Sequence, residues 1–174
     1  MPDVATYEAE LAGSPDLVLR EAEALYDGRG RLRETYARLS QRLDEMQIPH
    51  SVLGGFAVFL HGLRRFTEDI DVLITKTGLK TIREELVGLG YATEQGGRRS
   101  IRDRETGVRI DFVVTGTYPG DGRAKPVAFP DPANCAEEHD GIRVVDLRTL
   151  IELKLASGMT APERLQDLAD ALPG

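Results

Sequence analysis

Apolar positions in the first third of the chain recur at spacings of three and four, the signature of amphipathic helices. Residues 4–12 and 15–46 read as helical, with Ser14 and Pro15 as N-cap and first-turn proline and with Gly28 and Gly30 dividing the longer run. Leu32, Tyr36, Leu39, Leu43 and Met46 form the core-facing stripe of its second half. After Pro49 the period changes. Residues 51–53 and 69–75 read as strands, separated by a helix over 55–62 and followed by a helix over 77–89. A short strand near 90–94 precedes a hairpin of 98–103 and 108–115, with Gly107 at its turn. Residues 116–134, rich in Gly and Pro, read as a long loop expected to border an acceptor pocket. A strand at 142–145 leads to Asp146 as N-cap of a helix over 147–157, which Gly158 ends; Pro162 opens a last helix over 162–172.

The polar residues that break this pattern carry the chemistry. Asp69 and Asp71 alternate with Ile70 and Val72, so both carboxylates face one side of their strand. At roughly 6.6 Å apart they repel by roughly 3 kcal/mol at an effective dielectric of ~20. A hard cation reverses the sign of that interaction, and Mg²⁺ characteristically combines one or two carboxylates with substrate phosphates. A solvated edge strand is the other reading of the pair. Asp111 is a third carboxylate inside an apolar run, on the same face as Arg109 and Val113. Gly54 and Gly55 stand between a strand and a helix, where glycines allow close backbone approach and a helix start offers free N–H groups to phosphate.

Gly-Gly-x-Ala from Gly54, then Arg65-x-Thr67-x-Asp69-Ile70-Asp71, then Asp111 on a later strand, resembles the nucleotidyltransferase superfamily with the DNA polymerase beta-like fold. Lys154 within 150–155 and Arg164-x-x-Asp167-Leu168 are similar to motifs of its AbiEii-like branch of abortive-infection and toxin–antitoxin proteins. The resemblance spans about residues 48–172. It implies an α+β nucleotidyltransferase fold, a small mixed sheet flanked by helices, with residues 1–47 as an N-terminal helical segment and 48–174 as the transferase domain of one compact unit. It further implies that Gly54 and Gly55 cradle a triphosphate, with Arg65 and Thr67 alongside. Asp69, Asp71 and Asp111 would hold Mg²⁺, and Asp111 would also take the acceptor's proton. Lys154 would meet phosphates, and Asp167 would orient Lys154 or the acceptor. Many members have Gly-Ser where this chain has Gly54-Gly55, which leaves backbone donors alone at that point. On its own helix Lys154 has a second reading, a lysine near the expected buried stripe of Leu147, Leu150, Ile151 and Leu155 that snorkels to water.

The implied reaction moves an NMP from an NTP to an acceptor hydroxyl: tRNA for a toxin, otherwise a protein or a small molecule such as an antibiotic. A non-catalytic, antitoxin-like domain that binds nucleotide or a partner is the alternative from another class. Composition narrows this only a little. A net charge of −7 speaks against broad nucleic-acid binding, while Arg98, Arg99, Arg102, Arg104 and Arg109 make a local basic cluster. That cluster reads either as a phosphate or RNA contact or as a solvated hairpin paired with Asp103 and Glu105. Cys135 is the single cysteine, so no intramolecular disulfide forms. His50, His61 and His139 show no ligand spacing with Cys135, which argues against zinc. The N-terminus lacks the features of a signal peptide and no apolar run approaches ~20 residues, so the chain reads as soluble and cytoplasmic.

Overall fold

A computed structural model describes residues 6–160 apart from Gly96, with side chains as far as Gly158. Three helices come first: α1 (Tyr7–Gly13), α2 (Pro15–Tyr26) and α3 (Arg31–Glu45). Ser14 caps α2 as its side chain accepts from Leu17 N–H at 3.2 Å, and Gly30, at φ +95°, stands at the start of α3. Then come β1 (Ser51–Leu53), α4 (Gly54–Leu60), β2 (Asp69–Ile74), α5 (Lys76–Glu85), β3 (Tyr91–Thr93), β4 (Ser100–Asp103) and β5 (Arg109–Val114). A 3-10 turn over Pro132–Asn134, β6 (Ala136–His139), β7 (Ile142–Val145) and α6 (Leu147–Thr160) complete the described chain. The expected helix over 162–172, with Arg164, Asp167 and Asp170, lies outside the described residues.

The seven strands form one mixed sheet in the order β3-β4-β5-β2-β1-β7-β6. At its centre β2 runs parallel to β5 and antiparallel to β1. These strands are near-continuous apolar runs because both faces are covered: Val52, Ile70, Val72, Leu73, Ile74 and Ile110 are all fully buried. The α3 stripe of Leu32, Tyr36, Leu39 and Leu43 joins the same hydrophobic cluster, as its spacing predicts.

Polar contacts tie the N-terminal helices to the β4–β5 turn. The Tyr7 backbone N–H donates to the Gly107 carbonyl at 3.1 Å, Thr35 and Thr106 share a buried 2.6 Å hydrogen bond, and Arg38 meets Asp103 at 2.7 Å. Arg102 is buried between Glu8, at 2.7 Å, and Glu94, while donating to the Gly107 carbonyl at 2.6 Å. Removing one member of such a set strands the remaining charges. Both carboxylates keep some water contact, so Arg102→Ala is expected to cost about 2 kcal/mol, read as a lower urea midpoint at unchanged slope.

Three departures from the sequence reading have physical causes. First, α6 continues through Gly158 to Thr160 instead of ending at 157. Apolar residues lie on every side of this helix. The face that is buried is Leu150, Leu153 and Ser157, while Leu147 and Leu155, expected inside, are exposed. Second, β6 is absent from the sequence reading, because Ala136-Glu137-Glu138-His139 has no apolar alternation. It is a charged edge strand bonded only to β7, joined to it by an Asp140-Gly141 turn whose residues both have positive φ. Third, the loop after β5 is pinned at its base. Gly116 N–H donates to the Phe129 carbonyl and Phe129 N–H to the Thr117 carbonyl, each at 2.8 Å.

Candidate active site

The parallel register of β2 and β5 sets Asp69 opposite Arg109 and Asp71 opposite Asp111. Alternation then brings all three carboxylates to one side of the sheet. One oxygen from each of Asp69, Asp71 and Asp111 lies within 4.8 Å of the others. None of the three is fully exposed. Burial pushes the Asp69 carboxyl above the usual carboxylate range, and the neighbouring charge of Asp111 pushes it further. The Thr67 hydroxyl and Arg109 act in the opposite sense. Three carboxylates held together under partial burial, one of them resisting ionisation, are the donor set of a hard divalent cation. The residues present therefore fit Mg²⁺, which Asp69, Asp71 and Asp111 would hold.

The glycine pair is placed against these carboxylates. In β1, Leu53 stands opposite Asp71, and the chain turns directly from Leu53 into α4 with no intervening loop. Gly54 has φ +68°, and a Cβ there would lie 1.9 Å from Asp71 Oδ2. A Cβ on Gly55 would lie 2.9 Å from Thr67 Oγ1. The buried Thr67 thus occupies the space that a serine at position 55 would need, and its hydroxyl donates to Asp69 Oδ1 at 3.3 Å. In this chain a hydroxyl does stand beside the glycine turn. It is supplied from position 67 rather than from position 55.

Arg109 and Ser100 are the partners that the sequence reading did not assign. Arg109 Nε donates to Asp111 Oδ1 at 3.0 Å, a terminal guanidinium nitrogen completes the ion pair at 2.9 Å while donating to the Ser100 hydroxyl, and that hydroxyl donates to the same Asp111 oxygen. These bonds converge on Oδ1 of Asp111. The signal was present in the alternation that puts Arg109 on the Asp111 face. The pairing with Ser100 needed the β4–β5 register, which aligns Ser100 with Asp111.

A cavity of about 160 Å³ opens next to Asp71 and Gly54. Lys154 and Ser157 of α6 line one side of it, and Pro119 and Phe129 of the long loop line another. The structure therefore brings Lys154 to the glycine turn and the loop to the cavity. Arg65 is half-buried in the segment between α4 and β2. Asp167 lies outside the described residues. The basic cluster divides in a way neither reading anticipated: Arg102 and Arg109 are engaged by Glu8, Glu94 and Asp111, while Asp103 and Glu105 pair with Arg38. No helix among the described residues is long and apolar enough to cross a membrane.

Strand order, paired carboxylates on β2, a third on β5 and a glycine turn against them define a nucleotidyltransferase fold. Solved structures agree. The chain is similar to the lincosamide antibiotic adenylyltransferase LnuA in its lincomycin-bound form, with a TM-score of 0.51 and 15% identity over 78% of this chain and 94% of that one. It is also similar to an antigenic nucleotidyltransferase-like protein from Paracoccidioides brasiliensis, with a TM-score of 0.50 and 17% identity over 79% of this chain and 72% of that one. No protein-family model matches the chain, and no curated protein matches it.

Proposed function

We propose that the chain is a Mg²⁺-dependent nucleotidyltransferase that moves an NMP from an NTP to an acceptor hydroxyl. The observation that carries this reading is the convergence of Asp69, Asp71 and Asp111 beside the Gly54 turn. Asp69, Asp71 and Asp111 would hold a divalent cation, which would supply charge neutralisation for the triphosphate. Backbone N–H groups of the glycine turn bind the phosphates, and Lys154 contributes a positive charge from the cavity wall. In the reaction the acceptor oxygen bonds to the α-phosphorus, the α–β bridging P–O bond breaks, and pyrophosphate leaves with that electron pair. Asp111 takes the hydroxyl proton on Oδ2, since Oδ1 is committed to Arg109 and Ser100. The Phe129 side of the cavity excludes water from the transferring group.

Lys154 is half-buried and outside the apolar stripe of α6, so its loss should leave the fold intact. Lys154→Ala is expected to lower kcat/KM by about 10- to 100-fold, or roughly 1.4–2.7 kcal/mol of transition-state stabilisation. Steady-state kinetics with unchanged thermal melting is the check.

A small hydroxylated acceptor is favoured over tRNA by one finding. Of the five arginines that suggested an RNA contact in sequence, Arg102 is buried between Glu8 and Glu94 and the half-exposed Arg109 is paired with Asp111, and the net charge is −7. The similarity to an antibiotic adenylyltransferase points the same way. The AbiEii-like resemblance supports the other reading, a toxin on tRNA controlled by an antitoxin partner. Purified protein with Mg²⁺, each α-labelled NTP, and either total bacterial RNA or a panel of hydroxylated antibiotics separates the two. Label in a small acceptor supports the first reading, and label in RNA replaces it with the second. Label in neither, alongside intact NTP binding, returns the account to a non-catalytic, antitoxin-like domain.

A further inference from the structure

A second group of ligand-bearing side chains lies at the opposite end of α4 from the glycine turn. His61, the C-cap of that helix, meets Glu137 and His139 of the edge strand β6, and one ligand atom of each lies within 4.8 Å of the others. Glu137 and His139 are two apart on the strand and therefore share a face. The His139 Nε2 lies 2.7 Å from Glu137 Oε1, and the His61 and His139 rings stand edge-to-face at 4.8 Å between centroids.

The tautomer of His61 is fixed by its surroundings. Its Nε2 lies 2.7 Å from the Val145 carbonyl oxygen, which can only accept, so Nε2 carries the proton. In the neutral ring Nδ1 then presents a lone pair, and the atom facing it is the carboxylate oxygen of Glu137 at 3.5 Å. Two electron-rich atoms face one another while the His61 side chain is only 6% exposed. A cation between them turns that repulsion into attraction. A ring N–H held by a backbone carbonyl is also the usual outer-shell support of a metal-bound histidine. In a tetrahedral zinc site, ligands at about 2.0–2.1 Å from the metal stand roughly 3.4 Å from each other, close to the His61–Glu137 separation, while the His139–Glu137 hydrogen bond would open by about 0.7 Å on binding.

We infer that His61, Glu137 and His139 form a binding site for a borderline-soft divalent metal of the zinc class, tying α4 to the β6–β7 hairpin. Two imidazoles and one carboxylate select such ions over Mg²⁺, and the half-exposed side of the cluster leaves a fourth position for water. α4 is about 10 Å long at ~1.5 Å per residue, so this site is separate from the carboxylates and does not depend on what they do. Ligand spacing to Cys135 does not reveal this cluster. The informative spacing is Glu137-x-His139, on a strand that apolar periodicity does not reveal.

The test uses tag-free protein in the wild-type form and as Asp69→Asn/Asp71→Asn, which removes two carboxylates of the first site. Zn²⁺ is titrated against a chromophoric chelator, and Co²⁺ by its visible absorption. The expected result is one equivalent of Zn²⁺ bound by both proteins in the presence of millimolar Mg²⁺. Co²⁺ should show the intense visible bands of a tetrahedral ion without a thiolate charge-transfer band. His139→Ala and Glu137→Gln, both at half-exposed positions, should each weaken binding at least 10-fold. Absence of saturable Zn²⁺ binding in the double variant, or binding unchanged by His139→Ala and Glu137→Gln, would overturn the inference and leave His61 and Glu137 as an ion pair.

Discussion

Asp71→Asn is expected to lower turnover by at least about 10³-fold, some 4 kcal/mol of barrier, while raising the thermal stability of the metal-free protein. The two effects share one origin. Asp69, Asp71 and Asp111 hold their charges close together, and the Asp69 carboxyl is raised above its ordinary range by burial and then by Asp111. A group whose folded-state pKa is raised favours the folded state fully below its unfolded value and loses that contribution as pH rises through the folded value. Metal-free wild type should therefore lose stability as pH climbs from about 4 through the raised Asp69 range. Mg²⁺ should restore it, because a ligand of the native state alone stabilises that state. In Asp71→Asn one ligand of the cation is gone, so the Mg²⁺ response should vanish, while the loss with pH, which burial and Asp111 cause, should remain. Melting curves with and without Mg²⁺ between pH 4 and pH 8 read both. Wild-type turnover in this variant would sink the mechanism.

Gly54→Ala is expected to destabilise the protein by about 2–5 kcal/mol. Alanine at φ +68° costs about 1–2 kcal/mol. The new Cβ would also stand 1.9 Å from Asp71 Oδ2 and 2.8 Å from its Cγ, and relieving such overpacking typically costs about 1–3 kcal/mol. The two contributions can be separated. In an Asp71→Ala background the clashing carboxylate is gone and only the 3.0 Å approach to the Cβ at position 71 remains, so Gly54→Ala should retain mainly the backbone contribution. A coupling of about 1–3 kcal/mol in this double-mutant cycle, measured by urea unfolding, is the expected signature. Additive costs would mean that the turn and the carboxylate are not in contact.

Much of the site was legible in the chain because it is built from short-range regularities. Alternation on β2 and β5 assigns Asp69, Asp71 and Asp111 to faces, and a glycine pair between strand and helix marks a close approach. What the glycines approach was not legible. That Gly54 is closed off by Asp71, and that Thr67 fills the space beside Gly55, follows from the antiparallel β1–β2 register. The burial of α6 illustrates a different limit. With apolar residues at 147, 150, 151, 153 and 155, periodicity alone does not choose a face. Packing selects Leu150 and Leu153, which sets Lys154 at the cavity. The Arg102 ion pairs and the His61 cluster join residues far apart in sequence, 94 positions in the case of Glu8 and Arg102. Edge strand β6, polar along its whole length, offered periodicity nothing to detect, although its Asp140-Gly141 turn did mark a hairpin.

The most direct test of the central claim, that the three carboxylates hold a metal–nucleotide for transfer, is calorimetric titration of NTP into wild type and Asp71→Asn, each with and without Mg²⁺. Wild type is expected to bind saturably only when Mg²⁺ is present, and Asp71→Asn not at all. Equal binding without Mg²⁺, or binding that survives loss of Asp71, would contradict it.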